Sequence, residues 1–472
     1  MSGLLQTVQS FLDDTRVLSP GARVVVGVSG GVDSMVCAHV LRRLGHDVIA
    51  VHVNYGLRPE SDEEAAFVRR WCASQAPSIR HRETHADPEE ESDAGASLQA
   101  AARRQRYAFF AEVARIEKAA AVATGHHQND QAETILLNLL RGSGPEGLAG
   151  MRPSRPLEID GESVPLIRPL LDVSRGAIEA YARRYNVPWR VDPTNATTKY
   201  RRNAIRHEVL PQLAELEPHA VSNLARAARL MRNYVDETMR PATDEHLDRC
   251  FRSRPAGGAL HLVSVRDLAP VWQRRVILAA LARTLPEAPR SEAVANEIAR
   301  LIPAQVGRRV EFGDGTVWRG RTELRFLPDS AVPSPVPGTP VPRNTDVALP
   351  LGTLRIEETN TVPDELDAGG PTAAYVDAEQ LGEPLTVRTW DDGDRFQPLG
   401  LGGSKTVSDF LTDAHVPPWI RPHVYVLCAG DAIAWVVGYR LDDRVRVRSS
   451  TNQVARLQFV ASENPVFRSH FS

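Results

Sequence analysis

The sequence predicts an α/β protein whose N-terminal part is a parallel sheet with helices on both faces, followed by a helical middle domain and a small α+β C-terminal domain. Three observations carry that expectation. β-Branched runs alternate with helix-spaced segments through residues 23–139, a long amphipathic pattern begins at Val221, and five prolines within residues 333–342 precede a strand-rich tail.

Residues 23–28, Arg-Val-Val-Val-Gly-Val, form a short β-branched run that ends in a Ser-Gly-Gly turn and passes into helical spacing over residues 34–44. A second strand is expected at 47–53 and a third at 119–124, separated by helix-spaced segments at 60–74 and 98–117. Strand–helix alternation of this kind predicts right-handed crossovers and a parallel sheet. A further helix is expected over residues 172–185, and residues 191–211 are dense in Arg, Asn and Thr.

The first domain boundary is placed near Glu215, giving a catalytic domain over residues 1–215. Val221, Leu224, Ala228, Met231, Val235 and Met239 then recur every three or four residues, which predicts an amphipathic helix opening a largely helical domain over 216–330. Residues 331–343 form a proline-rich linker in extended conformation, and 344–472 form the C-terminal α+β domain. The longest apolar candidate, residues 424–441, is broken by Gly430-Asp431 and predicts a hairpin, not a membrane span.

The net charge of −3 gives no global attraction to a polyanion, so any nucleic-acid-binding face must be local. Cys37, Cys72, Cys250 and Cys428 are far apart and form no CxxC pair, which argues against zinc and iron–sulfur sites and fits a reducing cytoplasm. The N-terminus shows no charged segment followed by an apolar run, so no secretory signal is expected.

Ser29-Gly30-Gly31-Val32-Asp33-Ser34 lies between a predicted strand and a helix N-terminus, where unpaired N–H groups and the positive dipole end attract phosphate. Glycines allow close approach and the hydroxyls can donate to phosphate oxygens. Asp33 would repel an anion unless Mg²⁺ bridges the two. The loop has neither the Gly-Lys-Ser/Thr ending of a Walker loop nor the spaced glycines of a dinucleotide fold.

A second group follows the 119–124 strand: Gly125-His126-His127-Gln128-Asn129-Asp130-Gln131-Ala132-Glu133-Thr134. Asp130 and Glu133 fall one turn apart on one helix face. Taken alone, they could be a capped helix start, since acidic residues favour that end. At the carboxyl edge of the same sheet they could also hold Mg²⁺ against a triphosphate. His126 could carry a proton or contact a phosphate, and both roles stay open.

These motifs carry a resemblance. SGGVDS after a strand resembles the PP-loop of the ATP pyrophosphatases, whose fold is the adenine nucleotide alpha hydrolase-like parallel sheet. The GHH-x-x-D-x-x-ET segment, the Arg103-x-x-Arg106-Tyr107 helix, and Tyr200-Arg201-Arg202-Asn203-Ala204-Ile205-Arg206 running to Leu210-Pro211 resemble the tRNA(Ile)-lysidine synthetases. Residues 393–398, 402–410 and 435–440, including Lys405, are similar to the C-terminal domain of the longer members. Two departures stand out: Tyr55 occupies the place of an expected histidine, and Gln99 stands where glutamate is common.

The resemblance implies a C–N ligase that uses ATP and L-lysine. It would adenylate C2 of the wobble cytidine of tRNA(Ile) with a CAU anticodon, release AMP and diphosphate, and switch the tRNA from methionine to isoleucine specificity. The implied catalytic residues are Asp33, Arg106, His126, Asp130 and Glu133, with ATP on Ser29, Gly30, Gly31, Val32, Asp33 and Ser34. Asp33, Asp130 and Glu133 are the candidate Mg²⁺ ligands, and Lys199, Arg201, Arg202, Asn203, Arg206 and Lys405 the candidate tRNA contacts. A cytoplasmic enzyme without membrane association is implied, with a homodimer as one expected assembly. The rival readings are a PP-loop tRNA thiolase, a glutamine-dependent amidating enzyme, and a non-catalytic tRNA-binding protein.

Overall fold

The structure is a computed structural model and describes residues 3–56, 61–87, 98–159, 161–190, 201–359, 372–464 and 466. The chain divides into two compact units, Met1–Met239 and Arg240–Ser472.

The first unit is built on a six-stranded sheet in the order β3-β2-β1-β4-β6-β5. Its strands are β1 Arg23–Gly27, β2 Asp47–Asn54, β3 Arg80–His85, β4 Ala121–Ala123, β5 Ser154–Ile159 and β6 Glu162–Ile167. β1 pairs in parallel with β2 and β4, β2 with β3, and β4 with β6, while β5 runs antiparallel to β6. The triple valine explains why β1 is central. Val24 and Val26 enter one hydrophobic core and Val25 the other, all fully buried. Each such side chain contributes about 1.5–3 kcal/mol by leaving water.

Helices Gly3–Thr15, Val32–Arg43, Ser61–Ser74 and Arg175–Arg184 supply the first of these cores, and helix Leu98–Ile116 covers the opposite face through Tyr107, Phe110, Ala111, Val113 and Ala114. The parallel α/β architecture expected from the sequence is therefore present. Two parts of the sheet were not expected. β3 reads Arg-His-Arg-Glu-Thr-His and is polar because it is an edge strand, paired only with β2. The β5–β6 hairpin closes the other edge.

The first compact unit runs past the expected boundary near Glu215. Residues 201–216 are helical, with a π-helical turn at Ile205–Val209, and are followed by helix Ala220–Tyr234. Ile205 and Leu210 pack on Ala132, and Arg152 forms a two-pronged pair with Asp236 at 2.7 and 2.8 Å. The amphipathic helix thus belongs to the N-terminal unit.

In the second unit, residues 240–328 combine helices Arg240–Cys250, Pro270–Thr284 and Glu292–Ala299 with a five-stranded antiparallel sheet, β7 Phe251–Ser253, β8 Gly258–His261, β9 Arg309–Phe312, β10 Gly315–Arg319 and β11 Glu323–Pro328. A largely helical segment was expected here. These strands are three to six residues long, too short for their alternation to stand out against the helical periodicity around them.

The proline-rich stretch is likewise not a free linker. Val336 and Val341 are buried in the C-terminal core, and the short strand Thr339–Pro340 pairs with the strand Leu385–Thr389. An edge position tolerates proline because no ladder N–H is needed there. The expected hairpin forms as Tyr425–Ala429 and Ala432–Val436, with Gly430 at φ +56° in the turn.

Candidate active site

The Ser-Gly-Gly turn leaves β1 at its carboxyl edge. Gly27 must lack a side chain, since a Cβ there would lie 2.5 Å from the Phe110 ring, and Gly30 adopts φ +86°, a left-handed conformation that favours glycine. Ser34 ties the turn: its Oγ accepts the Ser29 N–H at 3.0 Å and donates to the Gly31 carbonyl at 3.0 Å, with Ser29 Oγ 3.2 Å away. Helix Val32–Arg43 starts from Gly31 without a side-chain cap. Its first N–H groups and dipole end are therefore the kind of site that receives phosphate.

The second motif abuts this turn. A Cβ on Gly125 would lie 2.8 Å from the carbonyl carbon and oxygen of Asp33 and 2.9 Å from Ser34 N, so only glycine allows the approach. Helix Gln128–Leu140 then begins with a reciprocal cap: His127 Nδ1 accepts the Asn129 N–H at 3.2 Å and Asp130 Oδ2 accepts the His127 N–H at 3.0 Å. Because Nδ1 is an acceptor, the ring proton sits on Nε2, which lies 3.5 Å from both Asp33 Oδ1 and Asp130 Oδ2. One buried imidazole thus faces both carboxylates.

Asp130 and Glu133 meet the basic 201–209 segment. Glu133 is fully buried, and its Oε1 and Oε2 accept from Arg206 Nε at 2.6 Å and Arg202 Nε at 2.7 Å. Asp130 Oδ1 accepts from Nη2 of both arginines at 3.1 Å. Burial would raise the Asp130 carboxyl, but His127, His126 and Arg202 hold it below its ordinary value. For Asp33, burial prevails over His127 and Arg175 and leaves the carboxyl above the usual range.

These segments wall a cleft of about 270 Å³ lined by Ser29, Gly31, Asp33, Ser34, Arg106, His126 and Asp130, with Val51, Val53, Tyr55 and Phe110 on its apolar side. Its mix of apolar wall and convergent polar groups suits a nucleotide-sized ligand. His126 Nδ1 lies 2.8 Å from Thr124 Oγ1, and burial, aided by Arg168, Arg202 and Arg103, pushes the imidazole down to about 3. A ring held neutral so far down is a weak base and carries no charge for a phosphate, which leaves it a neutral hydrogen-bonding group in the cleft.

Mg²⁺ ordinarily takes one or two carboxylates together with substrate phosphates. Asp33 fits that role: it stands beside the phosphate-type turn, and its buried Oδ1 has no hydrogen-bond partner. Glu133, expected as a ligand, does not fit, because both its oxygens are held by arginines. The Asp130 oxygens are engaged by the same arginines and by the His127 N–H. Among the described residues no group of three His, Cys, Asp or Glu is arranged to hold a metal.

The structure thus brings Ser29, Gly31, Asp33, Ser34, Arg106, His126 and Asp130 to one cleft, with Gly30 in the turn and Val32 buried beneath it. Arg202 and Arg206, expected to contact tRNA, are anchored on Asp130 and Glu133 while remaining part-exposed, Arg201 is exposed beside them, and Asn203 lies in the same helical turn. Lys405 lies in the second unit, paired with Asp413. Lys199 and the Gln99 side chain lie outside the described residues. Sequence reasoning missed His127, Thr124 and Arg175, whose Nη1 lies 3.1 Å from Asp33 Oδ2. Only the Ser174 cap before Arg175 marked that helix start, and nothing in the sequence pointed it at Asp33.

A strand, a Ser-Gly-Gly-x-Asp-Ser turn and an acidic helix start packed on that turn define a PP-loop domain, and residues 4–213 match the PP-loop domain family. Residues 385–458 match the TilS substrate C-terminal domain. The chain belongs to the tRNA(Ile)-lysidine synthase family. It is 34% identical to the tRNA(Ile)-lysidine synthase of Symbiobacterium thermophilum, covering 96% of this chain and 97% of that protein. It is 32% identical to that of Parabacteroides distasonis, over 97% and 100% of the two chains, and 33% identical to that of Geobacter sulfurreducens, over 96% and 97%.

Proposed function

We propose that this chain is a tRNA(Ile)-lysidine synthase, an ATP-dependent C–N ligase that joins L-lysine to C2 of the wobble cytidine of tRNA(Ile). The observation that carries the reading is the meeting of the two motifs at His127, whose Nε2 lies 3.5 Å from both Asp33 and Asp130 at the mouth of the phosphate-type turn. Near-complete coverage of relatives bearing that name supports the substrate pair.

A pyrimidine carbonyl oxygen is a poor leaving group, so the C2 oxygen first attacks the α-phosphate of ATP. A C–O–P bond forms and diphosphate departs. The lysine ε-amine then attacks C2, the C–O bond breaks, AMP leaves, and the nitrogen loses a proton. In this scheme the 29–34 turn binds the phosphates, and Arg106 stabilises charge on the transferring phosphoryl group. His126, which burial keeps neutral, hydrogen-bonds the bound nucleotide, and the proton lost in the second step passes to solvent. Asp33 would hold Mg²⁺, which supplies charge neutralisation to the phosphates when bound. In the same scheme Arg201 and the exposed parts of Arg202 and Arg206 offer positive charge to an anticodon loop, and Lys405 in the C-terminal unit offers it to another part of the tRNA.

Sulfur delivery finds no support, since all four cysteines are free and buried, and burial pushes the Cys37 thiol up to about 12. No helix among the described residues is long and apolar enough to cross a membrane. Incubation with labelled lysine, ATP and tRNA followed by nucleoside mass analysis tests the proposal. A lysine-bearing cytidine is the expected product. ATP-dependent sulfur incorporation, or no AMP release with cognate tRNA, would overturn it.

A further inference from the structure

Tyr55 follows the last residue of β2 and lines the cleft together with Arg106. Its hydroxyl makes two bonds of fixed sense. Oη donates its single proton to the Ala102 carbonyl at 3.0 Å, so a lone pair is left to accept the Arg106 Nε–H at 2.9 Å. Ala102 lies one turn before Arg106 on helix Leu98–Ile116, and the phenol therefore straddles the base of the arginine it contacts. The guanidinium carbon stands 5.6 Å from the ring centroid.

The turn that carries Tyr55 is itself held. Asn54, 3% exposed, accepts the Gly56 N–H on Oδ1 at 2.9 Å and donates from Nδ2 to Asp62 Oδ1 at 2.7 Å. Gly56 sits at φ +63°, the conformation that lets the chain leave the strand there. A long, exposed arginine would otherwise sample many rotamers and lose that freedom on engaging the phosphate. Here its Nε is pinned to a phenol that is fixed at both ends, so the two terminal nitrogens project from a defined origin.

The geometry points to Tyr55 as the positioning residue for Arg106 in the adenylation step, an inference that rests on the phosphoryl-stabilising role proposed for Arg106. Tyr55 holds the arginine where charge develops on the transferring phosphate, and the position of the phenol, not its acidity, matters. Its removal should therefore slow the first chemical step while leaving ATP binding nearly intact.

The test is single-turnover diphosphate release from ATP and tRNA by the full-length chain, measured for wild type, Tyr55→Phe, Arg106→Lys and the double variant. Tyr55→Phe removes only the hydroxyl, and thermal melting checks that the fold is kept. The expected result is a roughly tenfold lower maximal rate with the KM for ATP within about twofold of wild type, as for loss of a hydrogen bond to a charged group. In the Arg106→Lys background the same substitution should have no further effect. An unchanged rate for Tyr55→Phe beside a slow Arg106→Lys would overturn the inference alone. An undiminished tenfold loss in the Arg106→Lys background would also overturn it, because Tyr55 would then act elsewhere. Full-rate Arg106→Lys would sink the role given to Arg106 and this inference with it.

Discussion

Arg206 donates its Nε–H to Glu133 Oε1 at 2.6 Å across 73 positions of sequence, while Arg202 takes the other oxygen at 2.7 Å. Glu133 thereby clasps the basic segment to the helix that carries Asp130. Glu133→Gln should lower stability by about 2–3 kcal/mol, below the full penalty for breaking a buried pair because both arginines still reach solvent. Its Mg²⁺ requirement, followed as the metal concentration for half-maximal diphosphate release, should stay at the wild-type value. A marked rise would restore Glu133 as a metal ligand.

Asp33→Asn should depress diphosphate release by about 10²–10³-fold, the usual scale for losing a charge-stabilising group. Gel-shift affinity for tRNA should be unchanged, since Asp33 lies within the cleft. Weakened tRNA binding of the same size as the rate loss would contradict the division of labour.

Gly125→Ala places a methyl 2.8 Å from the Asp33 backbone, and the turn has to shift. A stability loss of about 1–3 kcal/mol is expected, with a raised KM for ATP. Calorimetry and steady-state kinetics would check the two effects. A variant as stable and as active as wild type would show that the motifs do not press on each other.

His126 gives a pH signature. Its folded value, about 3, lies below the ordinary histidine value, so between roughly pH 6.5 and 3 the unfolded chain binds a proton that the folded chain refuses. Stability should therefore fall as pH drops through that window, by up to about 1.4 kcal/mol per pH unit from this group. His126→Gln should flatten the decline measured by denaturant titration at pH 4.5 to 6.5. An identical slope in both proteins would mean the imidazole is not desolvated.

Local patterns made much of this legible. The triple valine announced β1, and the Ser-Gly-Gly and His-His-x-x-Asp segments announced the two halves of the cleft, because strand–turn–helix chemistry is written in neighbouring residues. What stayed hidden depends on distant partners. Glu133 looked like a metal ligand because its spacing from Asp130 was visible, whereas its two arginines, 69 and 73 positions away, were not. The sheet of residues 251–328 escaped notice for a similar reason. Its strands are short and gain their identity only from pairing across the chain, as Trp318 does with both Arg325 and Arg309. Arg175 carried no local sign of its target at all.

The double duty of His127 has a consequence for how this region assembles. One ring nitrogen seals the first turn of a helix and the other looks onto both acids. Fraying of that turn would free the imidazole and let Asp33 and Asp130 drift apart in the same event. Local melting and loss of chemistry should then share a single transition, so hydrogen exchange at the Asn129 amide would report directly on how often the enzyme is competent.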